Sequence, residues 1–381
     1  MRNFYLAALA FCLTSSVLTA QGFVEKVTDF LEINVGTPPD TSYFQNKVVL
    51  APIAYYEPNT SVGLGIGAKF LFKFRKAQDR TRTSNLPVSV SYTLNSQFFF
   101  TSSYTVFFPE EKWLLRGNLN YRDFPLDYYG VGNGTDEDDL MEIAYQQFLF
   151  EPLLLRQIVP NFFAGGGIRY NRFYNTVLED DFGEIPEGTD LQDDLGSTST
   201  GLEAALIYDS RDNVLNARRG LVVEFTQGFY DERYGGTHSF ELSKLDVRNY
   251  KALTERSTLA VQIYGRHTFS DAPVQELSTL GGESILRGFQ EFRFRDRLAT
   301  FAQAEYRYQG RGRFGFVTFA GAGQVAEGFG DLDLAGFRYS VGAGLRITII
   351  PSERLNLRFD YALGIGPSSD RNFYLGIAEA F

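Results

Sequence analysis

Few residues in this chain could carry out chemistry. It has only two histidines, and a hydrolytic site needs a histidine near a nucleophile or an acid. His238 stands beside Ser239, and His267 three residues before Ser270. Neither spacing defines a catalytic pair, so both rings are expected to pack at an interface and the chain is read as no enzyme. The stretch 176–199 carries Glu179, Asp180, Asp181, Glu184, Glu187, Asp190, Asp193 and Asp194 with no basic residue among them. Such oxygens suit a hard divalent cation, but no ligand spacing matches a defined site, and a solvated, self-repelling loop is the expectation. Asp136 to Asp139 reads the same way. No metal and no cofactor is expected.

The elements that would position any such residue are strands. Arg2, the apolar run Phe4 to Leu13 and the small Ala20 read as an export signal over 1–20. Cys12 lies inside that run behind the bulky Phe11, which argues against a lipid anchor. The rest of the chain is free of cysteine, so packing and hydrogen bonds must hold it in an oxidising compartment. Without Arg2 there remain 35 basic against 46 acidic residues, which disfavours nucleic acid as a partner. No later run of 18 apolar residues exists, so helical spans are excluded on length. A membrane protein without them must be a closed barrel.

Alternation supports that reading. Val62, Leu64, Ile66, Ala68, Phe70 and Phe72 alternate with Ser61, Gly63, Gly65, Gly67 and Lys69, and Leu71 alone breaks the polar side. Tyr339 to Ile349 alternates with Arg338, Ser340, Gly342, Gly344, Arg346 and Thr348, and Leu355 to Ile365 with Asn356, Arg358 and Asp360. A charge at the bilayer midplane costs about 2–4 kcal/mol, so Arg346, Arg358 and Asp360 must face a polar lumen. Segments of this kind number about 16, from 47–57 and 61–74 through 86–97, 113–122 and 161–175 to 298–309, 337–349, 354–366 and 371–381. The expected fold is all-β, a transmembrane antiparallel barrel of outer-membrane type over 47–381, preceded by a short periplasmic segment, 21–46. Within that segment Phe23 to Glu32 has room for one or two amphipathic helical turns. Both barrel ends fall on the periplasmic side, with short inner turns at Pro109–Lys112, Val159–Asn161 and Pro351–Arg354. The turn 76–84 is longer, and the long outer loops are 123–140, 176–199 and 271–297. Phe373, Leu375, Ile377 and Phe381 share one parity at the C-terminus, with Glu379 the intruder, a pattern that resembles the signal read by the outer-membrane insertion machinery.

The sixth outer loop contains Gly281-Gly282-Glu283-Ser284-Ile285-Leu286-Arg287-Gly288-Phe289. This resembles the bacterial surface antigen superfamily of BamA/TamA assembly factors and two-partner secretion transporters, whose sixth loop folds into a 16-stranded barrel with a V/I-R-G-F/Y motif. Leu286 replaces the usual β-branched residue. Tyr208-Asp209-Ser210-Arg211-Asp212-Asn213 followed by Arg219-Gly220 is similar to the family's D-x-R-D-N turn, and Tyr128-Tyr129-Gly130-Val131-Gly132-Asn133 to its aromatic-Gly-x-Gly-Asn loop. The resemblance implies that Arg287 enters the lumen and needs a carboxylate. Glu305, inward by parity on the next strand and matched by a family glutamate, is the natural partner, while Gly288 lets the backbone approach the wall. The family's second acid falls at Gly321 in Phe319-Ala320-Gly321-Ala322-Gly323, so one arm of the anchor is missing and the loop is either looser or held by another lumen acid.

The front of the chain has no room for the family's periplasmic repeats, so the resemblance is to a barrel-only member. It implies a role in inserting or moving proteins or lipids at the outer membrane, through a weak seam between 47–57 and 371–381 braced by the Arg287 loop. The alternative is a passive pore or structural barrel. Implied partners are membrane lipid and lipopolysaccharide, the insertion machinery that assembles the barrel itself, and client barrels or a separate periplasmic subunit.

Overall fold

The computed structural model describes residues 32–34, 46–57, 61–74, 81–135, 140–179, 196–366 and 371–381. The expected signal 1–20, most of the segment 21–46, Asp136 to Asp139 and the acids from Asp180 to Asp194 lie outside them. Of the expected helical turns only Glu32 is described, and it opens a strand.

Alternating residues form strands because one face can meet lipid while the other meets the lumen. In chain order these are β1 (Glu32–Asn34), β2 (Lys47–Glu57), β3 (Ser61–Phe72), β4 (Ser84–Thr93), β5 (Phe98–Phe107), β6 (Trp113–Tyr128), β7 (Met141–Val159), β8 (Phe162–Glu179), β9 (Thr198–Asp209) and β10 (Gly220–Tyr230). There follow β11 (Phe240–Ala252), β12 (Ser257–Ser270), β13 (Ser278–Leu280), β14 (Phe294–Asp296), β15 (Leu298–Gln309), β16 (Phe314–Ala326), β17 (Arg338–Ile350), β18 (Leu355–Ile365) and β19 (Arg371–Ile377). Among the described residues β2 to β12 and β15 to β19 are the sixteen antiparallel wall strands, each paired with its neighbour in the chain. The loop between β12 and β15 contains the β13–β14 hairpin. Leu64, Ile66, Leu345 and Phe373 are each about 60% exposed or more on the outer face, while Arg346, Arg358 and Asp360 are buried inside.

Several strand ends depart from the expectation, among them those of β6, β8 and the last strand. β6 continues to Tyr128 rather than 122, and β8 to Glu179 rather than 175. The β6 extension is held from within: Phe124 and Tyr128, with Ile143, Tyr145 and Phe173, pack on Val274 of the sixth loop, so this part of the wall reaches as far as the loop gives it apolar support. The last strand stops at Ile377 instead of 381. Ala378 takes a left-handed φ of 82°, and the tail turns into the lumen. The cause is Glu379: its carboxylate accepts hydrogen bonds from Arg346 (2.7 Å) and Asn356 (2.8 Å) instead of entering lipid. Phe381, expected on the lipid-facing parity, packs instead near Ala217, Val222, Tyr250 and Ala260. Leu71, the apolar residue on the polar face, belongs to an inner-end cluster with Val49, Leu215, Ile349, Ile350 and Leu355.

Closure of the barrel is uneven. β2 follows β3 along its whole length, from Lys47 opposite Leu71 to Glu57 opposite Ser61. Its other edge is shared. β1 covers the inner end, with Glu32 opposite Val49 and Asn34 opposite Lys47. Among the described residues β19 meets β2 at a single position, Phe373 opposite Tyr56.

Candidate functional site

The sixth loop descends into the lumen and is held at three levels. Near the outer rim, Glu276 accepts two hydrogen bonds from the Arg169 guanidinium (2.9 and 3.0 Å) and one from Asn171 (2.7 Å), with Arg266 at 3.4 Å. Below this, Leu280, Leu286, Phe289 and Phe294 cluster with Ala299, Phe301 and Val325 of the wall. At the tip, Arg287 is fully buried. Its guanidinium pairs with Glu305 and donates to Asp360 at 2.7 Å, while its plane lies over the Phe319 ring at 3.5 Å from the centroid. A cation over a ring face adds attraction where water is excluded.

The second arm of the anchor is therefore present, supplied from a different strand. Asp360 on β18 stands in for the acid missing at Gly321 on β16. A β-carbon at Gly321 would lie 3.2 Å from the Gln303 β-carbon, 3.3 Å from the Ala302 carbonyl oxygen and 3.4 Å from the Leu286 side chain, so the neighbouring strand crowds the position more closely than the loop does. The two departures from the family pattern, Leu286 and Gly321, face each other at contact distance. Gly288 sits at φ 111° against β18, where a β-carbon would come within 2.6 Å of the Leu363 carbonyl carbon and the Gly364 nitrogen. Only glycine fits there.

The tip also touches β19, on the seam. The Gly288 N–H donates to the Tyr374 hydroxyl (3.1 Å) and its carbonyl accepts from Asn372 (3.1 Å). Ser340 donates to the Arg287 carbonyl. The charges continue outward from the arginine: Glu305 also pairs with Arg307 (2.8 Å) and Asp360 with Arg346 (2.5 Å). Arg346 in turn holds Glu379, and Arg307 donates to the Phe381 carbonyl (2.8 Å). One buried network thus joins the loop tip to the inturned tail of the last strand. Asp360, Glu276, Tyr374, Asn372 and Glu379 were not singled out as loop or tail anchors from the sequence. For Asp360, Tyr374 and Asn372 the signal there is a polar side chain on the inward parity of a strand, for Glu379 an acid on the otherwise apolar parity, and for Glu276 in its loop turn there is none.

The other motifs lie at the two ends of the barrel. At the inner end Asp209 accepts from Arg211 Nε (3.0 Å) and Nη2 (2.9 Å) and pairs with Arg82 (2.9 Å). Asp212 accepts from the Arg218 and Arg219 amides and from Arg354 (2.6 Å). Burial would raise the Asp212 carboxyl, but these donors outweigh it and hold it below its ordinary value. Gly220 takes φ 117° as the turn enters β10. At the outer end Gly132 N–H donates to the Arg295 carbonyl (2.8 Å), Arg293 stacks on Tyr129 (4.0 Å), and Asn133 donates to the Gly336 carbonyl, so this loop caps the sixth. Phe373 is exposed on the outer wall. Leu375 shares its parity, and Ile377 packs on the inner-end cluster. His267 packs against Phe269 and Phe329, and His238 contacts Thr237 on an exposed turn.

A wall of sixteen antiparallel strands around a loop-filled lumen defines a membrane-spanning β-barrel with an internal brace. The Omp85 superfamily domain matches residues 64–381, and the chain belongs to that superfamily; it is a bacterial outer-membrane β-barrel protein. Among solved structures it is similar to BamA from Haemophilus ducreyi lacking POTRA domains 1-3, with a TM-score of 0.53 and 15% identity over 96% of this chain and 78% of that one. It is also similar to CdiB from Acinetobacter baumannii, with a TM-score of 0.58 and 13% identity over 87% of this chain. The chain spans 59% of the CdiB chain. At these identities the likeness is one of fold. No curated protein matches the sequence.

Proposed function

We propose that this barrel assists the insertion or translocation of proteins or lipids at the outer membrane by parting its wall between β2 and β19. The observation that carries the reading is the seam, where β19 meets β2 only at Phe373 and Tyr56 among the described residues, while β19 is registered on β18 from Leu357–Ile377 to Leu363–Arg371. Each strand pair left unmade lowers the cost of separating the edges, and an unpaired edge is a template for an incoming strand. The Arg287 loop is the brace, because its tip holds β18 through Asp360 and β19 through Tyr374 and Asn372. A passive pore is disfavoured by the buried loop across the lumen. In this reading residues 1–20 direct export, 21–46 lie on the periplasmic side with Glu32–Asn34 paired to the inner end of β2, and client barrels, lipid and lipopolysaccharide are the partners.

The test is the folding rate of a small client barrel into liposomes that contain this protein. The wild type is expected to accelerate folding and Arg287→Glu to lose the acceleration. Equal rates in empty and protein-loaded liposomes refute the role.

A further inference from the structure

We infer that the lumen beside the seam holds a binding site for the phosphate headgroup of an anionic lipid, with Lys69 as the recognising cation. A cavity of about 590 Å³ lies between the sixth loop and the walls of β2 to β6, and it reaches β18 and β19 on the far side of the seam. Its size is that of a small-molecule site. Both edges of the seam therefore line it, Pro52 and Ile53 from β2 and Tyr374 to Ile377 from β19.

Its lining carries Lys69 and Arg122 against Glu283 and Glu291, but one of these acids is drawn to a cation outside it. Glu291 pairs with Arg122 (3.2 Å) and Glu283 with Arg358 (2.9 Å), which leaves Lys69. That side chain is 93% buried, since its exposure is 7%, it lines the cavity, and among the described residues no carboxylate pairs with it. The charge that acts on it is Arg358, of like sign. Arg358 lies under Gly376, where a β-carbon would come 3.1 Å from its Nη2, and its Nε and Nη1 have no hydrogen-bond partner among the described residues. A buried cation without a counter-ion is costly, and Lys69 is such a cation on the cavity wall, whereas Arg358, outside the lining, pairs with Glu283 and lies 3.8 Å from Asp360. An anion with several acceptor oxygens supplies the counter-charge that Lys69 lacks.

Beside Ser89, Ser91, Thr101 and Ser284, much of the lining is apolar, with Phe99, Phe124, Ile285, Phe292, Leu357 and Ile377. A free inorganic anion gains nothing from those walls, whereas an amphiphile does, and the bilayer lies just across the thinly paired seam. The site goes beyond the insertion role and does not depend on it. Lipid binding without client acceleration leaves this inference standing, and acceleration without lipid binding refutes it alone.

The probe is phosphatidylglycerol with a fluorescent tail, titrated onto the full chain in zwitterionic micelles and compared with phosphatidylcholine of the same tails. The wild type and Lys69→Arg are expected to prefer phosphatidylglycerol at least tenfold, and Lys69→Gln to bring the two lipids within twofold. On the unsubstituted chain, which needs no variant to fold, phosphatidylglycerol is expected to slow acylation of Lys69 at least tenfold relative to the exposed Lys112. No preference in the wild type, an unchanged preference in Lys69→Gln, or no protection of Lys69 overturns the site. Displacement of the lipid by millimolar inorganic phosphate overturns the lipid source and assigns the pocket to a soluble phosphate.

Discussion

Replacing Arg287 by methionine keeps most of its volume and removes its charge, leaving Glu305 and Asp360 facing each other's remaining partners. Both acids are fully buried, and breaking a buried ion pair by deleting one member costs about 3–5 kcal/mol. Each acid retains a second cation, Arg307 at 2.8 Å on Glu305 and Arg346 at 2.5 Å on Asp360, so the lower end, about 3 kcal/mol, is expected. The loss falls on docking of the loop rather than on the wall, whose strand ladders are untouched. A cost of about 3 kcal/mol raises the open fraction of the loop about a hundredfold. Hydrogen exchange reads this directly at the Gly288 amide, bonded to Tyr374, and the Gly282 amide, bonded to the Phe289 carbonyl. Both should exchange about a hundredfold faster in Arg287→Met, with wall amides of β15 and β16 unchanged. Arg287→Lys, which keeps the charge but not the fork, should fall between. Less than a threefold change at either amide would show that the apolar cluster of Leu280, Phe289 and Phe294 holds the loop by itself and that the ionic anchor is incidental.

Restoring the acid of the family pattern by Gly321→Asp should destabilise the loop by about 1–3 kcal/mol, because the added side chain crowds Gln303 and Leu286, which stand 3.2 and 3.4 Å from a β-carbon there; Leu286→Val in the same chain should recover part of that loss, read by proteolysis within 271–297, and additive losses would contradict the packing link. Asp212 is held below its ordinary value in the folded turn, so it contributes stability in full above the unfolded value near 3.8. That contribution fades as the pH falls through the lower folded value, and Asp212→Asn should flatten the decline in inner-turn stability between pH 5 and acid on the order of pH 2. An identical acid profile in the variant would exclude Asp212 from the turn's ionic support.

Much of the wall was legible because alternation is local. The runs 338–349 and 355–365 assign lumen and lipid faces residue by residue, and Arg346, Arg358 and Asp360 fall inside for the reason that charge cannot sit in lipid. The pairing of Arg287 with Glu305 needs only parity and the next strand. Its pairing with Asp360 spans 73 residues, and no local pattern tells which of several inward acids meets the loop. The ends of β6 and β19 depart from the alternation for a related cause. The extent of β6 depends on what the loop packs against, and the tail's turn at Ala378 depends on Arg346 and Asn356 across the lumen. The division of the β2 edge between β1 and β19 is likewise a tertiary fact with no sequence period behind it.

The most direct measurement is a reversible lock of the seam. Beyond Cys12 the chain has no cysteine, so Tyr56→Cys with Phe373→Cys places the introduced thiols at the paired position. If the wall parts between β2 and β19, oxidation of this pair abolishes the acceleration of client folding in liposomes and reductant restores it. Undiminished acceleration by the oxidised barrel would contradict the account, because the seam would then have no part in the activity.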